Sequence, residues 1–213
     1  MKKIKIIIST IVVSALLISC APQGEKKETE KETQKEVKTE VPALNILSQA
    51  EKDDGWVMLF DGITTKGWRG YGNENFPEKG WKVEDGTLHV MGSGKGEAGG
   101  GGDIITEKMY GNFELSLEWK VSEGGNSGIF YLVQEKPGQP IWKSAPEMQI
   151  LDNAKHPDAK LGVEGNRAAG SLYDLIPGDF NVVNPAGEWN IVRVMVYKGT
   201  VVHWVNDKNV LEY

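Results

Sequence analysis

Across residues 113 to 121 the side chains alternate without a break. Phe113, Leu115, Leu117, Trp119 and Val121 are apolar, while Glu114, Ser116, Glu118 and Lys120 are polar. A period of two places successive side chains on opposite faces of a strand, so a slip of one residue would carry every apolar group into water. This segment is therefore a strand with one buried face. Trp81–Glu84 and Thr87–Val90 flank Asp85-Gly86, and residues 191–197 and 200–205 flank Lys198-Gly199; both patterns read as hairpins. Residues 126–133 and 147–151 supply further strands. Many of the 26 glycines punctuate these runs, and nothing beyond residue 43 carries an apolar stripe at helical spacing. Short antiparallel strands joined by glycine turns predict an all-β sandwich or jelly roll.

The start of the chain belongs to something else. Lys2, Lys3 and Lys5 precede an apolar run over residues 6–18 that ends at Leu17-Ile18-Ser19-Cys20. The run is too short for a stable membrane span and has the form of a secretory signal. Its junction resembles that of bacterial lipoproteins, which implies a signal over residues 1–20 with Cys20 as the lipidated residue. Cys20 is the only cysteine, which rules out a disulfide framework. Residues 21–42 form a charged tether: 25–40 are almost entirely Glu, Lys, Thr and Gln, without an aromatic residue to seed a core. The expected domain is 43–213, held by its lipid to a membrane, as a periplasmic, outer-membrane or cell-surface protein. The net charge of −6 is made of mixed rather than clustered charges, which argues against nucleic acid as a partner.

Two apparent motifs fail on context. The glycine-rich stretch 92–102 lacks the helix that a phosphate loop needs, because Ile104-Ile105-Thr106 continues it as a strand. The three histidines, His89, His156 and His203, are not at zincin spacing, and His89 and His203 sit within strand-like runs as structural residues. The richest segment lies between Asn126 and Tyr173. Asn126-Ser127-Gly128 opens a strand with a glycine that permits close approach to the backbone. Alternation over Glu147–Leu151 puts Glu147 and Gln149 on one face, with Met148 and Ile150 on the other. Asp152 and His156 follow in a loop, and Tyr173 ends Gly170-Ser171-Leu172-Tyr173. Carboxylate, amide, imidazole and aromatic groups together suit a carbohydrate site.

Leu59-Phe60-Asp61-Gly62 with Gly67-Trp68, Trp81-Lys82-Val83 with Asp85-Gly86-Thr87-Leu88, Tyr110-Gly111-Asn112-Phe113-Glu114-Leu115, Asn126-Ser127-Gly128-Ile129, Glu147-Met148-Gln149-Ile150-Leu151-Asp152, Gly170-Ser171-Leu172-Tyr173 and Gly187-Glu188-Trp189-Asn190 occur in this order. In that order the chain from Gly55 to Tyr213 resembles the 3-keto-disaccharide hydrolase family. The resemblance implies a concanavalin A-like lectin/glucanase β-sandwich (jelly roll). The family's Asn-Gly turn is Asn206-Asp207 here, and the family pattern runs on past Tyr213, so the jelly roll is expected to lack its last strands in this chain.

The implied chemistry is cleavage of 3-keto-glycosides. A ketone at C3 acidifies the C2 proton, a base removes it, the glycosidic oxygen leaves C1 by β-elimination, and hydration completes a net hydrolysis. On this resemblance Glu147, Asp152 and His156 are the catalytic candidates: His156 or Asp152 as base, Glu147 as acid or metal ligand. Asn126, Ser127, Gln149 and Tyr173 are the expected sugar contacts. A divalent metal is left open as cofactor, with Glu147 and His156 as its candidate ligands. The competing expectation is a carbohydrate-binding, lectin-like lipoprotein without a base.

Overall fold

The computed structural model describes residues 1–6, 45–92 and 100–213. Its strands are β1 (Lys2–Ile6), β2 (Trp56–Met58), β3 (Trp68–Gly70), β4 (Trp81–Glu84), β5 (Thr87–Val90), β6 (Ile104–Thr106), β7 (Phe113–Trp119), β8 (Asn126–Phe130), β9 (Glu147–Leu151), β10 (Asn190–Tyr197), β11 (Thr200–Val205) and β12 (Lys208–Glu212). The described α-helix is a single turn, Gln49–Asp53, closed by a capping box between Ser48 and Glu51.

One layer is a six-stranded sheet in the order β12-β11-β10-β7-β1-β2. Its inward side chains follow the alternation of the sequence: Val192, Val194 and Val196 are buried, whereas Ile191, Arg193 and Tyr197 are exposed. The other described strands form the pairs β4-β5, β3-β6 and β8-β9, and β8-β9 packs against the six-stranded sheet as the second layer. Val192, Val194, Val201 and Val205 from the first layer share one buried cluster with Ile129, Met148, Ile150 and Leu172 from the second. The architecture is a β-sandwich of the jelly-roll type.

Both predicted hairpins form for the expected reason. Asp85 and Gly86 have φ of 49° and 71°, and Lys198 and Gly199 have 51° and 87°, the left-handed values that a two-residue hairpin turn demands. Asn206 and Asp207, at 48° and 63°, make a third such turn between β11 and β12 without glycine. Asn and Asp tolerate this conformation better than other non-glycine residues.

The N-terminal strand departs from the sequence-based expectation. Lys2–Ile6 lies between β7 and β2 and runs parallel to both, in a sheet whose other described pairs are antiparallel. Ile4 points into the core at 3% exposure, while Lys3 and Lys5 reach Asp54 and Glu51. The remainder of the expected signal, Cys20 and the tether over residues 21–42 lie outside the described residues. Among the described residues no helix is long and apolar enough to cross a membrane.

Candidate active site

The site is built on three adjacent backbone segments. β8 and β9 pair antiparallel, with Gly128 opposite Gln149 and Phe130 opposite Glu147. Residues 170–173 line the other edge of β9. There the Gly170 N–H donates to Gln149 O at 2.9 Å, the Gln149 N–H to Ser171 O at 3.1 Å, and the Tyr173 N–H to Glu147 O at 2.9 Å, and Met148 bridges Leu172. Directly opposed residues share a face. Ile129, Met148, Ile150 and Leu172 therefore share one face and fill the core, while Asn126, Gly128, Glu147, Gln149, Ser171 and Tyr173 lie on the other, together with Phe130 and the buried Leu151.

Four of the expected polar residues are thus brought onto one face: Asn126, Glu147, Gln149 and Tyr173. Ser127 is not among them, because its register opposite Ile150 sends it to the other side. Glycine at 128 lets the Glu147 side chain lie against the backbone: a Cβ there would stand 1.7 Å from Glu147 Oε1 and push that side chain aside. The Glu147 carboxylate lies directly across that backbone. Gln149 is 2% exposed, and its Oε1 accepts the Ile150 N–H at 3.0 Å, which fixes the amide in place.

Asp152 is occupied otherwise. At 4% exposure, its Oδ2 accepts the Gly124 N–H at 2.7 Å and its Oδ1 accepts that of Ala154 at 3.1 Å. The Gly124 amide is the main reason its carboxyl is held below the usual carboxylate range. These bonds make Asp152 the anchor of the loop that carries His156.

His156 caps the 3₁₀ turn Pro157–Lys160, and its Nδ1 accepts the Asp158 N–H at 3.2 Å. An imidazole nitrogen that accepts carries no proton, so neutral His156 holds its proton on Nε2. Asp158 also accepts the Tyr173 hydroxyl on Oδ2 at 2.7 Å and Arg167 Nη1 on Oδ1 at 2.9 Å. Arg167 Nε donates to Asp174 at 2.8 Å, and its guanidinium lies 5.4 Å from the Tyr173 ring centre. Burial works to raise the Asp158 carboxyl, but the Tyr173 hydroxyl and the guanidinium outweigh it and hold the carboxyl low. Asp174, then Asp158, raise Arg167 in turn. Sequence reasoning missed Asp158 and Arg167. The signal was local, since His156-Pro157-Asp158 places a proline at the first position of a helical turn behind a capping side chain.

Among the described residues no group of three or more His, Cys, Asp or Glu side chains is gathered around a point that could hold a metal ion. Asp152 and Asp158 already spend their oxygens on protein donors. Among the described residues the side chains, the candidate ligands Glu147 and His156 included, do not form a protein-built metal centre.

Amide, carboxylate, imidazole and phenol groups beside a β-sandwich define the class of carbohydrate-active jelly rolls, which holds binding modules and enzymes alike. Within that class the chain belongs to the family described as the 3-keto-alpha-glucoside-1,2-lyase-like domain, which residues 55–213 match. It is 48% identical over 231 aligned residues to a 3-keto-disaccharide hydrolase of Bacteroides thetaiotaomicron, covering 100% of this chain and 79% of that protein. Two crystal structures from Parabacteroides distasonis, both described as candidate glycosyl hydrolases, share the fold. The first has a TM-score of 0.70 and 34% identity over 79% of this chain and 76% of the other. The second has a TM-score of 0.54 and 26% identity over 68% and 71%. The family places the chain among the enzymes of its class.

Proposed function

We propose that this protein cleaves the glycosidic bond of 3-keto-glycosides, 3-keto-disaccharides among them, by elimination and hydration. The observation that carries the reading is the Glu147 carboxylate laid across Gly128, with Gln149 and Tyr173 beside it on the same face. A carboxylate in that position can take the C2 proton that the C3 ketone has made acidic. The electron pair left at C2 delocalises onto the ketone oxygen, then forms the C1–C2 double bond as the C1–O bond breaks. Asn126 and Gln149 supply amides for the sugar oxygens. The Nε2–H of neutral His156 gives a hydrogen bond to the departing oxygen, and Glu147 passes on the proton it took from C2, so that the oxygen leaves as an alcohol. Water then adds across C1 and C2: its oxygen bonds to C1 as Glu147 takes one of its protons, and Glu147 delivers that proton to C2. The base role goes to Glu147 because its carboxylate lies over Gly128 on the site face, and His156 is a donor at its outward nitrogen.

The test is incubation of the protein with 3-keto-trehalose or a 3-keto-glucoside, with and without EDTA, following release of glucose or aglycone. Turnover supports the reading. Sugar binding by calorimetry without turnover on any 3-keto-glycoside would replace it with the lectin-like alternative.

The same proposal places the enzyme at the cell envelope, lipidated at Cys20 and held off the membrane by residues 21–42. Support comes from the basic start, the apolar run and the single cysteine that ends it. Metabolic labelling with palmitate should mark the wild-type protein and leave a Cys20→Ala variant unlabelled in the soluble fraction. Equal labelling of both would overturn the anchor.

A further inference from the structure

His156, Asp158, Arg167 and Tyr173 meet through one residue. The backbone N–H of Asp158 donates to His156 Nδ1, one of its carboxylate oxygens accepts the Tyr173 hydroxyl and the other accepts Arg167 Nη1. Arg167 is itself held from the far side by Asp174, and Gly162 passes so close that a Cβ there would stand 3.1 Å from Arg167 Cγ. The guanidinium is confined, and the carboxylate it grips is confined with it.

We propose that Asp158, clamped by Arg167, is the positioning residue of this site, presenting His156 with its proton at Nε2 and setting the orientation of Tyr173. The proposal rests on the keto-sugar reading only for its activity measurements. A carboxylate is needed because it offers an acceptor oxygen to each of two donors, whereas an amide offers one oxygen and turns two N–H groups toward the other donor. The charge on Arg167 matters as well, since it keeps Asp158 an acceptor that does not draw a proton from its neighbours. A neutral imidazole fixed with its proton outward can serve the departing oxygen without first having to turn or change tautomer. That is preorganisation in the sense that lowers a barrier.

Two kinds of measurement test this. Nitrogen-15 NMR of the imidazoles in the substrate-free protein should find neutral His156 protonated on Nε2; protonation on Nδ1 would overturn the proposal whatever the substrate turns out to be. With a 3-keto-glucoside as substrate, Asp158→Asn and Arg167→Met should each lower kcat about tenfold or more, with KM changed less than about threefold. The double variant should be no slower than the slower single one, because groups that act as a unit are not additive. Tyr173→Phe removes one oxygen and is the mild variant, expected to lower kcat about threefold or more by the same route. Thermal melting confirms that each variant is folded. Wild-type kcat in the folded single variants, or losses that multiply in the double one, would overturn the proposal. Absence of turnover by the wild type on every 3-keto-glycoside would instead overturn the keto-sugar reading and leave the tautomer measurement to decide this one.

Discussion

Glu147 rests its carboxylate on the Cα of Gly128, at a position where any Cβ would fall 1.7 Å from Oε1. The two residues lie on neighbouring strands with Gly128 opposite Gln149, so the strand pairing itself delivers Glu147 to this spot. A methyl group at 128 must displace the carboxylate. Gly128→Ala should therefore lower kcat by about tenfold or more through a misplaced base, while the overpacking costs about 1–3 kcal/mol of stability. Glu147→Gln keeps the shape and removes the base, and should cost about 100-fold or more in kcat with sugar binding retained. Steady-state kinetics and a denaturant melt of both variants check this. Wild-type turnover in Glu147→Gln would remove Glu147 from the chemistry.

His156 can be tested by chemistry rather than by deletion alone. Its Nδ1 accepts from Asp158, so its working group in the neutral form is the N–H at Nε2. The side-chain amide of glutamine can place an N–H near that point; alanine cannot. His156→Ala should lower kcat by about 100-fold, whereas His156→Gln should recover about tenfold of that loss. Equal losses in the two variants would mean that the ring transfers a proton, which glutamine can do in neither direction.

Asp152 should behave as a structural residue. Its buried carboxylate satisfies the Gly124 and Ala154 amides, and removing it leaves those donors without a partner. Asp152→Ala should cost about 1–3 kcal/mol of stability. In protein that remains folded, kcat should drop far less than in Glu147→Gln. A collapse of kcat with unchanged melting would return Asp152 to the catalytic set.

The pH dependence of stability is expected to be governed between pH 4 and 6.5 by His203, which is fully buried between the two layers. Its Nδ1–H donates to Gly170 O at 3.1 Å, and its Nε2 accepts the Tyr131 hydroxyl at 2.9 Å; that oxygen is also bonded to Tyr213. Burial lowers the imidazole from 6.5 to about 4, against the raising effect of the Gly170 carbonyl. The unfolded chain therefore binds a proton near pH 6.5 that the native state refuses until pH 4. The stability contributed is complete above pH 6.5 and is lost as pH falls toward 4, by about 3 kcal/mol in all. Denaturant titrations from pH 7.5 to 4 should show that slope, and His203→Gln, although less stable at neutral pH, should flatten it. An unchanged slope in the variant would assign it to other groups.

What could be read beforehand was whatever short-range geometry dictates. The alternation over residues 113–121 allows one facing of a strand, and Asp85-Gly86 and Lys198-Gly199 can adopt left-handed backbone, so sheet and hairpins followed. The same alternation placed Glu147 with Gln149 and, applied to Asn126-Ser127, separates those two. The rest depended on partners distant in the chain. A loop carboxylate such as Asp152 looks catalytic until the amides of Gly124 and Ala154 are seen to fill it. Asp158 and Arg167 are nine residues apart and become one unit only when the loop folds back. Lys2–Ile6 was the hardest, because alternating Lys and Ile serve equally as the start of a secretory signal and as a strand with one wet face.

That ambiguity leads to the last prediction. Between β7 and β2, Lys2–Ile6 contributes two parallel ladders and buries Ile4 to 3% exposure. In the order β12-β11-β10-β7-β1-β2, nothing else among the described residues joins β2 to its sheet, so β2 hangs on β1. Processing at Cys20 would remove that strand, and the loss of one buried isoleucine alone is worth about 1.5–3 kcal/mol. For a domain of this size each kcal/mol moves Tm by about 2–4 °C. The chain that begins at Met1 should melt roughly 5 °C or more above one that begins at Cys20. Hydrogen exchange should then show lost protection at β2 and at the β7 amides that faced β1, with β10 and β11 unchanged. Equal melting temperatures and equal protection would mean that β1 contributes nothing to the folded protein, and that the sheet closes at β7 without it.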